Sequence, residues 1–272
     1  MGIDSDIHKD SCSETRMDTK TLYWQSVGVE RRWECATVKR GVSGGLHGVD
    51  ARHASVAGFS AYGESSTKEY ELTWHLNAST SWVIESLEVR IIGLESNRRS
   101  LNRSLFLCRS HDGSWSSETV ASESASGAAP LPPPGMANAA VLNGVADCDL
   151  DFNPMTPALP LRRISMGAGE PGASANFGLD RGLHVMVARV ELPTLRVFAV
   201  SRTYTSEMIS TSGGPVGMVG GVNSVGTDGV EAARRVRYSG DDFVSVLQLD
   251  SDGYILDYSG VARRVQDLAA SA

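Results

Sequence analysis

Three aspartates alternate in Asp147-Cys148-Asp149-Leu150-Asp151, so an extended backbone projects all three carboxylates from one face. Such a row could hold a divalent cation through oxygen ligands, or two of its members could divide acid and base work. The simpler reading pairs them with Arg162 and Arg163, or has them cap the turn at Asn153-Pro154, because like charges at that spacing need counter-charges. Asp250-Ser251-Asp252-Gly253 opens like a calcium loop but lacks the later ligand positions and the closing Glu. Its carboxylates are expected to accept backbone N–H bonds in a hairpin turn.

Other chemistry is thin. The histidines at 8, 47, 53, 75, 111 and 184 form no HExxH and no i,i+4 pair. His47 and His53 lie in a glycine-bearing segment, and His75 falls on the strand face opposite Trp74. There is no GxSxG elbow and no Walker-type loop. Cysteines 12, 35, 108 and 148 have no CxxC spacing, which predicts free thiols and no zinc site. No metal and no cofactor is expected.

Positioning such groups falls to strands. Tyr70, Leu72, Trp74 and Leu76 alternate with polar residues, and the habit continues through Val83, Glu85, Leu87, Val89 and Ile91. Leu105–Cys108 runs into His111-Asp112-Gly113 and Trp115, while Phe243–Leu249 runs into Asp252-Gly253 and Tyr254–Leu256. Asp-Gly between extended runs is a strong hairpin signal. Leu183–Val190 and Leu195–Val200 add two β-branched strands. Val261–Ala270 carries an apolar stripe at helical spacing. The fold class is therefore mainly β: a large curved antiparallel sheet or open barrel with few short helices.

Composition bounds the rest. The chain has 272 residues and a formal charge of −7, within reach of one β-rich domain. Residues 1–20 read as a tail, 21–272 as a single domain, and 116–138 and 206–233 as low-complexity insertions rich in small residues, Pro or Gly. The acidic balance speaks against a nonspecific nucleic-acid binder, and Arg31-Arg32, Arg98-Arg99 and Arg234-Arg235 read as solvated faces. No apolar run is long enough for a transmembrane helix and no leader-like segment opens the sequence, so a cytoplasmic protein is expected.

The segment from Leu142 to Ile164, with its Asp-x-Asp run, its Thr156-Pro157 turn and Leu159-Pro160-Leu161-Arg162-Arg163, resembles the most recognisable motif of the putative glycolipid-binding family. The resemblance extends to Glu34, the Trp74 strand, SLFLCRSHDGSW, Tyr204-Thr205 and DGYILDYSGVARRV, and covers most of residues 30–265. It implies an open barrel similar to bacterial lipoprotein carriers, with Leu159–Arg163 as a strand, and it carries over a catalytic role for none of the matched residues. Asn153 stands where the family tends to have Thr, Pro157 where it has Asn, and Ser259 where it has Pro.

These readings converge on a protein that binds a lipid or glycolipid. Trp33, Tyr70, Leu72, Trp74, Trp82 and Phe243 would line an apolar cavity, and Glu34, Asp149, Arg162, Arg163, Arg202 and Tyr204 would meet the polar headgroup. Two alternatives remain. One is a hydrolase acting on a glycolipid or sugar conjugate, using two of Glu34, Asp149, Asp151 and Asp257; the other is a scaffold that binds a partner through residues 116–138.

Overall fold

The structure is a computed structural model that describes residues 17–28, 31–41, 58–93, 99–125, 130–167, 179–207, 234–240 and 242–265. Its strands are β1 (Met17–Ser26), β2 (Trp33–Gly41), β3 (Phe59–Ser66), β4 (Tyr70–Ala78), β5 (Ile84–Gly93), β6 (Arg99–Arg109), β7 (Trp115–Ala125) and β8 (Gly135–Met136). Then come β9 (Asp147–Leu150), helix α1 (Leu159–Gly167), β10 (Leu183–Val190), β11 (Arg196–Ser206), β12 (Arg234–Ser239), β13 (Val244–Leu249), β14 (Ile255–Tyr258) and β15 (Ala262–Val265).

All strands join one sheet in the order β7-β6-β5-β4-β3-β2-β1-β15-β14-β13-β12-β11-β10-β9, with β8 added beside β11. Most neighbours are antiparallel, but β9 pairs with β10, and β8 with β11, in parallel. The sheet is therefore mixed, though mainly antiparallel and curved as the sequence predicts. It curls without closing into a barrel. Arg103 of β6, 2% exposed, reaches across the seam and donates to the carbonyls of Pro132 at 2.6 Å and Thr194 at 2.8 Å.

Alternation decides which face is buried. Tyr70, Leu72, Trp74 and Leu76 point inward while Glu71, Thr73 and His75 point out. A register shift beside Ala78 changes the phase, so Ile84, Leu87, Val89 and Ile91 are buried and Glu85 is exposed. Both Asp-Gly turns form. Asp112 Oδ1 accepts from Ser114 N at 2.9 Å and Asp250 Oδ1 from Tyr254 N at 2.8 Å, with Gly113 and Gly253 at φ +85° and +77°. These two glycines occupy a left-handed conformation that other residues adopt only under strain.

Four expectations from sequence need correction. Leu159–Arg163 lies in α1, because Pro160 falls in the first helical turn, where its missing N–H costs nothing. Ala262–Val265 is strand β15, paired with β1 and β14, and this displaces the predicted helix from 261. Residues 116–125 of the predicted insertion lie in edge strand β7, paired with β6 over its length, and β1 begins at Met17, inside the predicted tail. Of the second insertion, 206–233, Ser206 ends β11 and residues 208–233 lie outside the described residues.

The concave face is occupied. Leu142, Val145, Cys148, Leu150, Met155 and Leu159 pack in one cluster with Trp24, Val38, Leu72, Trp74, Leu87 and Leu105. Leu161, on the same helix as Leu159, enters a second cluster with Tyr204, Tyr238, Leu247 and Tyr258. The segment from 139 to 161 thus plugs the trough and ties its two halves. The plugged trough removes apolar side chains from water at roughly 1.5–3 kcal/mol each.

Candidate functional site

The residues expected to meet a headgroup are mostly engaged with one another. Asp147 takes Arg163 through two bonds, at 3.2 and 2.7 Å. Asp151 takes Arg189 in the same way at 2.7 and 2.9 Å. Asp149 Oδ2 accepts from Arg202 Nε at 2.9 Å and from the Tyr238 hydroxyl at 2.8 Å. Tyr204 is buried against Tyr238, with ring centroids 4.9 Å apart. Burial pushes the Asp147 and Asp149 carboxyls above the ordinary range, opposed by Arg163 and Arg202 respectively.

Glu34 is buried too, on the inner face of β2. Its Oε1 accepts from Trp74 Nε1 at 2.8 Å and from Asn153 Nδ2 at 2.7 Å. Loss of water pushes its carboxyl up to about 7, against the lowering effects of the Arg32 charge and of the bonds from Trp74 and Asn153. Glu34 and Trp74 therefore belong to one buried polar joint between sheet and plug. Of the residues expected to line a cavity, Tyr70, Leu72, Trp74 and Trp82 are core residues, Phe243 is half-buried, and Trp33 is 41% exposed on the outer face.

The hydrolase reading is not favoured. Asp149, Asp151 and Asp257 each close on an arginine, at 2.9, 2.7 and 2.9 Å. Every pair among the four candidates therefore contains a carboxylate already neutralised. The scaffold reading fares no better, since residues 115–125 are paired into the sheet and Leu131 and Pro132 are held by Arg103.

Arg162 is packed against two aromatic rings. It is 8% exposed, and its guanidinium lies 4.0 Å from the Tyr254 ring centroid and 4.8 Å from that of Trp82. It donates to the Asp252 carbonyl, while its Nε has no hydrogen-bond partner among the described residues.

A groove of about 510 Å³ opens on the outer face of β2–β5. Register builds it from two cross-strand rows. One is Thr37, Tyr62, His75 and Glu88; the next is Cys35, Glu64, Thr73 and Arg90. Inward-facing Gly63 and Trp74 complete the lining. Tyr62 is 43% exposed, with Lys39 Nζ 5.2 Å from its ring centroid, and His75 Nε2 is 3.0 Å from Ser60 Oγ. Glu88 and Arg90 stand 3.7 Å apart. From the sequence, His75 is placed on the strand face opposite Trp74, while Thr37, Tyr62 and Glu64 carry no reading of their own. The available signal was the density of Tyr, His, Glu and Arg on that side, which only strand register turns into a patch.

Fold and surface together define a β-rich protein with an open groove of mixed polar and apolar lining outside a filled sheet. The chain belongs to the putative glycolipid-binding family, whose sequence profile matches residues 21–214. It is similar in structure to a crystal structure at 1.80 Å of a DUF1089 family protein from Pseudomonas aeruginosa, with 15% identity over 90% of this chain and 93% of that one and a TM-score of 0.46. No curated protein matches the sequence. Among the described residues, no helix is long and apolar enough to cross a membrane.

Proposed function

We propose that the protein binds a glycolipid through its sugar, and that the sugar lies in the groove between the Thr37–Glu88 and Cys35–Arg90 rows. The observation that carries this reading is the groove's mixed lining. Tyr62 offers an amphipathic ring, Glu64 and Glu88 accept hydroxyl protons, and Arg90 and His75 supply further polar contacts. Its volume of about 510 Å³ lies within the range of about 300–1,000 Å³ typical of small-ligand sites. Membership of the family supports a sugar-bearing lipid as the ligand class. The acyl chains stay in the lipid phase in this reading, since the concave face that would receive them holds the plug. A reducing, cytoplasmic setting is part of the proposal, and Cys35, Cys108 and Cys148, none of them in a disulfide among the described residues, suit it.

Vesicle flotation tests the reading. Phosphatidylcholine vesicles doped with a glycosyl diacylglycerol should carry the wild-type protein upward, undoped vesicles should not, and Tyr62→Ala with Glu88→Gln should abolish the difference. Equal flotation with undoped vesicles, or full retention by the double variant, would overturn it.

A further inference from the structure

Alternation places Lys20 on the same inner face as Leu22 and Trp24, and Arg40 on that of Ala36 and Val38. Both therefore stand at one end of the trough, beyond its last buried residues. Arg162 arrives there from α1, Trp82 from the β4–β5 connection and Tyr254 from the β13–β14 turn.

The contacts gather these groups around two rings. The Arg162 and Arg40 guanidinium groups lie 4.8 and 5.6 Å from the Trp82 centroid. Arg162 and Lys20 lie 4.0 and 5.2 Å from the Tyr254 centroid. Trp82 itself sits at φ +63° and stacks on Phe59 at 4.6 Å. A non-glycine residue held at positive φ stores strain that tends to be kept where it places a functional side chain.

Charge at this mouth is not balanced from within. Asp250 is held by Arg264 at 2.7 Å, both side chains being buried, and the same Oδ2 lies 3.7 Å from Lys20 Nζ. Asp252 pairs with Lys20 at 2.7 Å with a side chain 56% exposed, and Asp18 stands opposite Arg40 in the β1–β2 register. Two outer carboxylates thus face three cations, Lys20, Arg40 and Arg162, on a protein whose overall charge is −7. Arg162 Nε, buried and without a partner among the described residues, is a donor lacking an acceptor. It faces Gly253, where an added Cβ would lie 3.5 Å away, so no side chain covers that edge of the guanidinium.

We propose that the mouth formed by Lys20, Arg40 and Arg162 over Trp82 and Tyr254 binds a phosphate-type anion, separate from the sugar groove on the outer face. Arg162 supplies planar, charge-assisted donors, and Arg40 and Lys20 add the attraction that the acidic remainder of the surface lacks. The Asp252 carboxylate is the internal competitor, displaced from Lys20 when the anion enters. An exposed pair of this kind contributes little to stability, so exchanging it for a dianion is inexpensive. A free phosphate ester and a phospholipid headgroup present the same chemistry to these groups.

The full-length protein is titrated with inorganic phosphate and glycerol 3-phosphate by calorimetry and by tryptophan emission. In parallel it is floated with phosphatidylcholine vesicles with and without phosphatidic acid. Saturable binding is expected, weakened at least about tenfold by Arg162→Lys or Arg40→Gln and tightened several-fold by Asp252→Asn. Response to the free esters identifies a soluble source, and response only to phosphatidic acid a lipid one; either supports the site. Arg40 and Asp252 are exposed, so their variants carry the test if Arg162→Lys fails to fold. Tyr62→Ala should leave phosphate binding intact, which separates this site from the groove. No saturable response to any of these probes, or equal affinity in the wild type, Arg40→Gln and Asp252→Asn, would overturn the proposal.

Discussion

Asn153 Nδ2 and Trp74 Nε1 converge on one oxygen of Glu34, at 2.7 and 2.8 Å, so the plug and β4 share a single carboxyl as their joint. The pH dependence of that joint has a definite sign. Burial raises the Glu34 carboxyl from 4.5 to about 7, so between these values the folded protein holds a proton that the unfolded chain releases. Stability therefore falls as pH rises through this window, by up to about 3 kcal/mol. Glu34→Gln keeps an acceptor for both donors and should remove that part of the slope. Urea midpoints at pH 5 and pH 8 for the two proteins provide the check, and parallel slopes would contradict the account.

Asp149, Arg202 and Tyr238 form a closed buried triad, in which Arg202 Nε also lies 2.9 Å from the Tyr238 hydroxyl. Removing one ion leaves the other uncompensated in a dry interior. Asp149→Asn or Arg202→Met should each cost about 3–5 kcal/mol, whereas Tyr238→Phe should cost about 1–2 kcal/mol. Denaturant unfolding of the three variants, with a double-mutant cycle for the ion pair, measures both. Losses below 1 kcal/mol for the two charge variants would show that the triad is solvated.

Gly63 lets the sheet accept Trp74. A Cβ there would lie 2.2 Å from the Cys35 carbonyl oxygen and 2.8 Å from the Trp74 ring, and a backbone oxygen held in a central ladder cannot retreat. Gly63→Ala should destabilise by about 3 kcal/mol and alter the near-ultraviolet circular dichroism of the tryptophans. An unfolding midpoint within error of wild type would refute this packing.

Much of this architecture is legible from residue pattern, and the reasons it stops being legible are physical. Tyr70 to Leu76 alternate because one face is buried, and the Asp112-Gly113 and Asp252-Gly253 turns need a left-handed glycine and an accepting carboxylate. Both signals are local. Residues 116–125 carry few large apolar side chains because β7 is a strongly polar edge strand, so nothing in their composition marks a strand. Only the family resemblance makes Leu159–Arg163 a strand, where the chain forms a helix, and the apolar spacing of β15 also fits a helix. Glu34, Asp149, Arg162, Arg163, Arg202 and Tyr204 were each recognisable as unusual. What they contact depends on partners such as Tyr238, 89 residues from Asp149, and no spacing along the chain encodes that.

Arg103 bridges the seam between β6 and the β10–β11 turn, and its other terminal nitrogen donates to the Leu131 carbonyl at 3.1 Å. Arg103→Met removes these charge-assisted bonds and strands several carbonyls. The expected loss is about 3 kcal/mol, together with faster amide exchange at residues 130–136 and 191–196. Unchanged exchange at both segments would mean that the seam holds without Arg103.

The location of the sugar is the claim on which the functional reading rests. Amide chemical-shift mapping of the full-length protein during titration with the soluble headgroup glycoside of the bound glycolipid tests it directly. The account predicts saturable shifts gathered at Thr37, Tyr62, Glu64, Thr73, His75, Glu88 and Arg90, with residues 142–159 of the plug undisturbed. Shifts concentrated in the plug and around Glu34 and Asp149, with the outer rows silent, would contradict it.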